Sequence, residues 1–378
     1  MLTIAIPQLY CGASGQRGAY NRQEVGLARA FAALGARAVV LYPAPGADKI
    51  EVETPAEKVK VLYCPAKTLG VNAFYKSWQP LLDEKVDAVH VMGDNSLAVP
   101  GLYRFCRAHG IFFYSQLGAL ASQSQNPAVR RVMDLFCRRN LAIYRRTPTY
   151  AKTQAVADEL EALRVPCAGV LPVGLDTAII PEISEPRAAL RRRLGLDENA
   201  NYLLFVGRLD PYKRPLDVAA VLAALPETWQ AVVIGQGSLA GALADAMQES
   251  GLQDRWRQIP QLPNAEVQAY YHACDVFLNC NDREIFGMSL LEAMYAGCVP
   301  VARCAPGPDM IVEDGVSGFL VEPGAGDTAA LAKAVRKAAE APAMADAAKA
   351  RIRSKFLWRN SAETALAMLQ TKGVNRDG

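Results

Sequence analysis

The sequence predicts an α/β protein built from two doubly wound, Rossmann-like domains facing across a cleft. Three observations predict it. Short apolar, β-branched runs alternate with helix-period patterns along most of the chain, the mark of βα units on parallel sheets. The rhythm is interrupted by "LPVGLDTAIIPEISEP" (171–186), whose three prolines and one glycine read as a linker. A length of 378 residues also exceeds one ordinary core and suits two.

In the first half the expected strands are "LTIAI", "ARAVVLY", "KVKVLYC", "VDAVHVM", "GIFFYS" and "PTYAKT". Between them, "NRQEVGLARAFAALG" puts Val25, Ala28, Phe31 and Ala32 on one helix face and stops at Gly35. After the linker come strand "NYLLFVG", helix "RPLDVAAVLAAL", strand "WQAVVIG", helix "LAGALADAMQES", strand "DVFLNC", helix "MSLLEAMYAG", and strands "VPVAR" and "GFLVEP". From Asp327 onward the chain is Ala-rich and helical, ending in a helix with a stripe through Ala362, Ala365, Leu366 and Leu369. The expected domains are 1–172, 173–355 and a final helical segment, 356–378. Open sheets of this kind bind ligands at the carboxyl ends of their strands.

Composition narrows the class. Hydrophobic residues make up 51 % and charged residues 21 %, as in globular proteins. The start lacks a basic segment followed by a long apolar one, and no run approaches the roughly 18 to 20 apolar residues that span a bilayer. A cytosolic, unprocessed protein is expected. The nine cysteines never occur as Cys-x-x-Cys and sit in apolar surroundings, so buried free thiols are expected and, with three scattered histidines, a zinc site is not.

The net charge of +3 is unevenly spread, because residues 101–150 carry eight arginines against one aspartate. Much of that charge lies in 128–146, where a helix would gather Val129, Val132, Met133, Phe136 and Ile143 on one side and Arg130, Arg131, Arg138 and Arg145 on another. Such a face suits anionic lipid headgroups at the inner surface of a membrane. A solvated face on a packed helix is the competing reading. Aromatic residues are not interleaved with the cations, so nucleic acid is not expected as a partner.

Three constellations carry chemistry. In "FVGRLDPYKRP" (205–215) a strand ends at Gly207, which allows close backbone approach, and Arg208 and Lys213 follow, cations suited to diphosphate oxygens. In "EIFGMSLLEAMYAG" (284–297) Glu284 precedes a helix start near Gly287, and Glu292 lies within the helix. The free N–H groups of a helix start hold phosphate, and a carboxylate one turn on accepts from a vicinal diol such as a ribose. The third is the Gly-rich loop "YCGASGQRGAYN" (10–21), spaced G-x-x-G-x-x-G rather than as the dinucleotide fingerprint. It follows the first strand, where a small-residue loop containing Gly18 can pass close to a ligand.

With these motifs in order, the chain resembles the retaining glycosyltransferases of family 4, which have the GT-B fold. "LPVGLDTAII", "VGRLDPYKRP", "VVIGQGS" and "EIFGMSLLEAMYAGCVPVA" carry the resemblance, and "GAYNRQEVGLARAFAALG" resembles members that build capsular and other surface polysaccharides. The resemblance implies a nucleotide-sugar donor, UDP-sugar before GDP-sugar, and a glycan or lipid-linked acceptor, with neither cofactor nor metal. It implies that Arg208 and Lys213 hold the diphosphate, Glu292 the ribose and Glu284 the donor sugar, with the backbone of Phe286, Gly287 and Met288 approaching sugar and phosphate. It further implies that the last helix crosses back to the first domain.

The pattern departs from the family's in places. A His-Gly or His-Asp pair usual after the fifth strand of the first domain is replaced by "YSQLGAL" (114–120), Ile285 follows Glu284, and "CAPGPDM" (304–310) replaces a Gly-Gly turn. Three other readings compete. A glycoside hydrolase would use the two glutamates as a carboxyl pair, but has no need of Arg208, Lys213 or a phosphate-suited helix start. A non-catalytic nucleotide-sugar-binding protein or partner subunit would retain the donor site without turnover, and a sugar-nucleotide epimerase would need no acceptor.

Overall fold

The computed structural model describes residues 1–11, 22–120 and 127–374. The chain forms two compact units, Met1–Asp176 with Leu357–Gly378, and Thr177–Phe356.

The first unit holds strands β1 (Thr3–Pro7), β2 (Arg37–Pro45), β3 (Glu51–Ala56), β4 (Val59–Leu69), β5 (Asn72–Tyr75), β6 (Ala88–Val91), β7 (Phe112–Leu117) and β8 (Thr149–Ala151). Their order is β3-β4-β2-β1-β6-β7-β8, with β5 paired to β4. The β4-β2-β1-β6-β7-β8 run is parallel, whereas β3 and β5 lie antiparallel to β4. Ala5, Val39, Leu41, Val89 and Val91 fill the core from the sheet. Their runs are continuously apolar because the parallel strands are buried on both faces.

The helix Gln23–Ala33 buries Val25, Ala28 and Phe31, leaves Ala32 half-buried, and is followed by Gly35 at φ +91°. The Trp358–Thr371 helix packs in this same unit, burying Ala362, Ala365 and Leu369, with Leu366 half-buried. Small residues admit its first residue. A Cβ at Gly26 would stand 2.7 Å from the Trp358 ring, and one at Gly174 would stand 2.2 Å from the Trp358 backbone nitrogen. Ser361 Oγ donates to the Pro172 carbonyl at 2.7 Å, tying the helix to the segment leaving the sheet.

The second unit is a six-stranded parallel sheet of β9 (Asn201–Val206), β10 (Trp229–Ile234), β11 (Trp256–Ile259), β12 (Val276–Asn279), β13 (Val299–Arg303) and β14 (Phe319–Val321), in the order β11-β10-β9-β12-β13-β14. Leu203, Phe205, Ala231, Val233, Val276 and Leu278 form its core.

Three strands, β3, β5 and β11, lie outside the expected set. For β3 and β11 the reason is their position at the ends of the strand orders, where no apolar run is needed, whereas β5 is largely buried but only four residues long. Every residue of β11 is half-buried, and β3 has no buried residue. The helix expected from "RPLDVAAVLAAL" is also shorter, Asp217–Ala223, because Arg214 adopts left-handed φ +51° ahead of Pro215.

Candidate functional site

In the second unit the chain runs from β9 to β10 and β11 on one side, then crosses to β12, β13 and β14 on the other. The order therefore reverses between β9 and β12, which pair directly through Val276↔Leu203 and Phe277↔Leu204. Loops leaving the carboxyl ends of two strands that part in this way open a crevice, the usual ligand position in a doubly wound sheet. The two sequence motifs occupy these loops: Arg208 and Lys213 follow β9, and Glu284 follows β12.

Lys213 and Glu284 meet across that switch point. The Lys213 ammonium donates to Glu284 Oε2, and Asn281 Nδ2 donates to the same oxygen at 3.1 Å. Both side chains are largely covered, 21 % exposed for Lys213 and 13 % for Glu284. Arg208 is placed differently. Its side chain is 70 % exposed, with Nε 3.4 Å from Asp210 and 3.1 Å from the Tyr212 hydroxyl. Tyr212 links the cations, because the Arg208 guanidinium and the Lys213 ammonium each lie 5.3 Å from its ring centroid.

The helix after Glu284 spans Met288–Ala296, starts from Gly287 at φ +101°, and has no side-chain cap at its N-terminus. A Cβ at Gly287 would lie 3.3 Å from Glu284 Cγ, so the Glu284 side chain folds back over the helix start. Phe286 is buried and Met288 half-buried. Glu292, one turn in, is buried at 4 % exposure. Asn264 Nδ2 and Gln268 Nε2 reach its Oε2 only at 3.4 and 3.5 Å. Burial raises its carboxyl from the ordinary 4.5 to about 8. A buried carboxyl on this helix is suited to accept hydrogen bonds from ligand hydroxyls.

Close backbone approach occurs here, but not at Gly207, where a Cβ would meet nothing nearer than a ring carbon at 3.9 Å. The demanding glycines are its neighbours. A Cβ at Gly235 would stand 1.9 Å from the Gly207 oxygen, and one at Gly237 would stand 2.6 Å from the Leu209 carbonyl. The glycine turn of "VVIGQGS" thus lies flat under the β9 loop, with Leu209 N bonded to Gln236 O at 2.9 Å and Ser238 Oγ to Asp210 Oδ1 at 3.0 Å. Gly307, within "CAPGPDM", was not among the expected site residues. Its N–H donates to the Glu284 carbonyl at 2.9 Å, and a Cβ there would stand 2.1 Å from the Phe286 oxygen. A glycine between two prolines just after the paired-glutamate motif was the available signal, and it lies in the short helix Pro306–Ile311.

Gly18 lies outside the described residues. At the place of the absent His pair, the Gln116 amide is committed inside the fold. It donates to Leu171 O at 2.6 Å and meets His90 Nε2 at 3.1 Å, while burial lowers His90 to about 4. Leu117 is fully buried, and the Lys152 side chain runs over Gly118, 2.7 Å from where its Cβ would stand.

The arginine-rich helix spans Pro127–Tyr144. Phe136 does not join its packed side, being 43 % exposed beside Leu135 at 61 %, while Cys137, Asn140, Ile143 and Tyr144 are buried. Arg130, Arg131, Arg138 and Arg139 are exposed; Arg145 lies beyond the helix and donates to the Leu163 and Arg164 carbonyls. No helix among the described residues is long and apolar enough to cross a membrane.

The family model described as glycosyl transferases, group 1, matches residues 186–355, which carry all of the second-unit geometry. The match lies within the second unit and spans somewhat less than half of the chain. Among curated relatives, the chain is similar to a D-inositol 3-phosphate glycosyltransferase of Geodermatophilus obscurus, 35 % identical over 48 % of this chain and 42 % of the relative. One from Thermobispora bispora is 37 % identical over 36 % of this chain and 35 % of the relative. The chain thus spans less than half the length of these relatives. Among solved structures, sucrose-phosphate synthase of Thermosynechococcus elongatus superposes with a TM-score of 0.77 at 19 % identity, over 99 % of this chain and all of that one. Anabaena HepE, solved with UDP-glucose, gives 0.70 at 18 % identity over 98 % of this chain and all of that one. At such identities the likeness establishes the fold alone, GT-B.

Proposed function

We propose that this protein moves a sugar from a nucleotide-sugar donor to a glycan or lipid-linked acceptor in polysaccharide or glycoconjugate synthesis, with retention at the anomeric carbon. The observation that carries the reading is the meeting of Lys213 and Glu284 across the β9/β12 switch point, beside an uncapped helix start and one turn from buried Glu292. Cations and helix N–H groups suit a diphosphate, Glu292 suits the ribose diol, and Glu284 suits a sugar hydroxyl. In the proposed reaction the bond from the anomeric carbon to the diphosphate oxygen breaks, a bond to the acceptor hydroxyl oxygen forms, and the hydroxyl's proton passes to the departing diphosphate. Negative charge then grows on the leaving diphosphate, where Lys213, Arg208 and the helix start stabilise it without a metal.

UDP-sugars are the first donors to test, since the fold neighbour HepE was solved with UDP-glucose. The names of the curated relatives add inositol phosphate to the acceptor panel. The deciding experiment is a thermal-shift screen of UDP-, GDP- and ADP-sugars, followed by transfer assays with labelled hits. Binding without transfer or hydrolysis across the panel would leave a nucleotide-sugar-binding protein. Interconversion of free nucleotide sugars without an acceptor would make it an epimerase.

The exposed Leu135 and Phe136 among four exposed arginines support a second element of the reading, peripheral contact with an anionic membrane that presents a lipid-linked acceptor.

A further inference from the structure

Arg303 ends β13 with its side chain fully buried, beneath loops that the sequence motifs describe separately. Its Nε donates to Asp327 Oδ2 at 2.7 Å, and its Nη1 donates to Asp217 Oδ2 and to the Cys280 carbonyl, both at 2.6 Å. Each acceptor belongs to a different segment. Asp217 begins the helix after the Lys213 loop, Cys280 opens the loop to Glu284, and Asp327 begins the helix after β14.

The charges continue outward. Arg214 Nε donates to Asp217 Oδ2 at 2.8 Å, and Arg214 Nη1 donates to Asp282 Oδ2 at 2.7 Å. Asp327, Arg303, Asp217, Arg214 and Asp282 thus alternate in sign, from a fully buried guanidinium to the half-buried Asp282. The Arg303–Asp327 bond holds that carboxyl below the usual aspartate range.

From this geometry we propose that Arg303 is a positioning residue, which sets the spacing between the Lys213 arm and the Glu284 arm from beneath while touching no ligand itself. A planar guanidinium can bond acceptors in several directions of one plane at once, and an ammonium on a flexible stem cannot reproduce that fork. Three links therefore cross the β9/β12 switch point: the Lys213–Glu284 pair, open to ligand, the half-buried Arg214–Asp282 pair, and beneath them the fully buried Asp217–Arg303–Cys280 bridge, closed to it. The upper pair can rearrange around a ligand because the lower bridge keeps the arms in register. The role in turnover rests on the glycosyl-transfer reading; the bridge itself does not.

The test is hydrogen exchange, read by mass spectrometry, on the full chain and on Arg303→Lys, with activity measured alongside. In Arg303→Lys, segments 207–217 and 280–287 should exchange faster together, while β10 and the first unit stay unchanged. With a donor that turns over, kcat should fall by about ten-fold or more with KM little changed, because a displaced stabiliser acts on the transition state. Faster exchange in one segment only, in neither, or throughout the second unit would overturn the proposal. Should Arg303→Lys not fold, Asp217→Asn decides: faster exchange at 207–217 with 280–287 unchanged supports the bridge, and no change in either overturns it. If the unaltered protein turns over no donor, the transfer reading fails while the exchange result still judges Arg303.

Discussion

Lys213 and Glu284, 71 positions apart in the chain, form an ion pair that bridges the loops leaving β9 and β12. The pair brings together residues assigned to opposite parts of one ligand, the diphosphate and the donor sugar. An ammonium has three donors, so Lys213 can keep Glu284 and still reach a phosphate oxygen.

If Lys213 stabilises the leaving diphosphate, Lys213→Ala should lower kcat by about 100-fold or more, the usual effect of removing one group that stabilises transition-state charge. The fold should hold, because Asn281 still donates to Glu284. Steady-state kinetics beside a melting curve check this. Wild-type turnover in a folded variant would remove Lys213 from the reaction.

Glu292 gives a pH prediction. Burial raises its carboxyl from 4.5 to about 8, so between those values the folded state holds a proton that the unfolded chain releases. Stability should therefore be greatest at the acid end of this window and decline as pH rises through about 8. Glu292→Gln has no proton to lose. Its melting temperature should fall less than the wild type's between about pH 5 and about pH 9. Nucleotide affinity should run the other way in the wild type, rising toward about pH 8 as the ribose hydroxyls gain an ionised acceptor, and should be weaker and flat in Glu292→Gln. Parallel curves for the two proteins would refute both statements.

Gly307 sits so close to Phe286 that a Cβ there would stand 2.1 Å from its carbonyl oxygen and 2.5 Å from its carbonyl carbon. Both atoms are backbone, so Gly307→Ala must move the loop between Glu284 and the helix start. Overpacking of this kind costs about 1 to 3 kcal/mol. The expected outcome is a lower melting temperature with donor binding weakened beyond what that loss explains. Gly241→Ala, in a helix with nothing within 4 Å, is the control and should be neutral or slightly stabilising. Equal donor affinity in the two variants would count against the loop's role.

The parallel strands and the start of the Met288–Ala296 helix were legible because local signals coincide there: apolar runs bounded by turn residues, and Gly287 ahead of a helix-period pattern. Strands β3 and β11 were not, because a strand at the end of a sheet can be polar, and β5 was not, because four residues are too few to show a pattern. Inside the site, Glu292 was legible from its apolar neighbours, which make exposure improbable for a mid-helix acid. Its pairing partners were not, since Asn264 and Gln268 belong to another helix. Gly207 was read as the point of close approach because it ends a strand, yet the steric demand falls on Gly235, whose Cβ would collide with the Gly207 carbonyl. Arg303 gave no signal, for an arginine closing "VPVAR" looks like a residue emerging into solvent, and only the fold reveals Asp217, Cys280 and Asp327 around it.

The arginine-rich helix shows a related misreading with a functional consequence. Heptad-like spacing placed Phe136 with the packed residues, but Cys137 and Asn140 take the inward side, leaving Leu135 and Phe136 outside with Arg130, Arg131, Arg138 and Arg139. Apolar side chains beside exposed guanidinium groups match the two layers of an anionic membrane surface, where each basic residue contributes about 1 kcal/mol and the attraction is screened within a Debye length. The protein should float with vesicles containing anionic phospholipid at low salt, float weakly at high salt, and not float with neutral vesicles. Leu135→Ser with Phe136→Ser should reduce flotation while the fold is kept, because both side chains are exposed. Equal binding to neutral and anionic vesicles, or none to either, would leave these arginines as an ordinary solvated face.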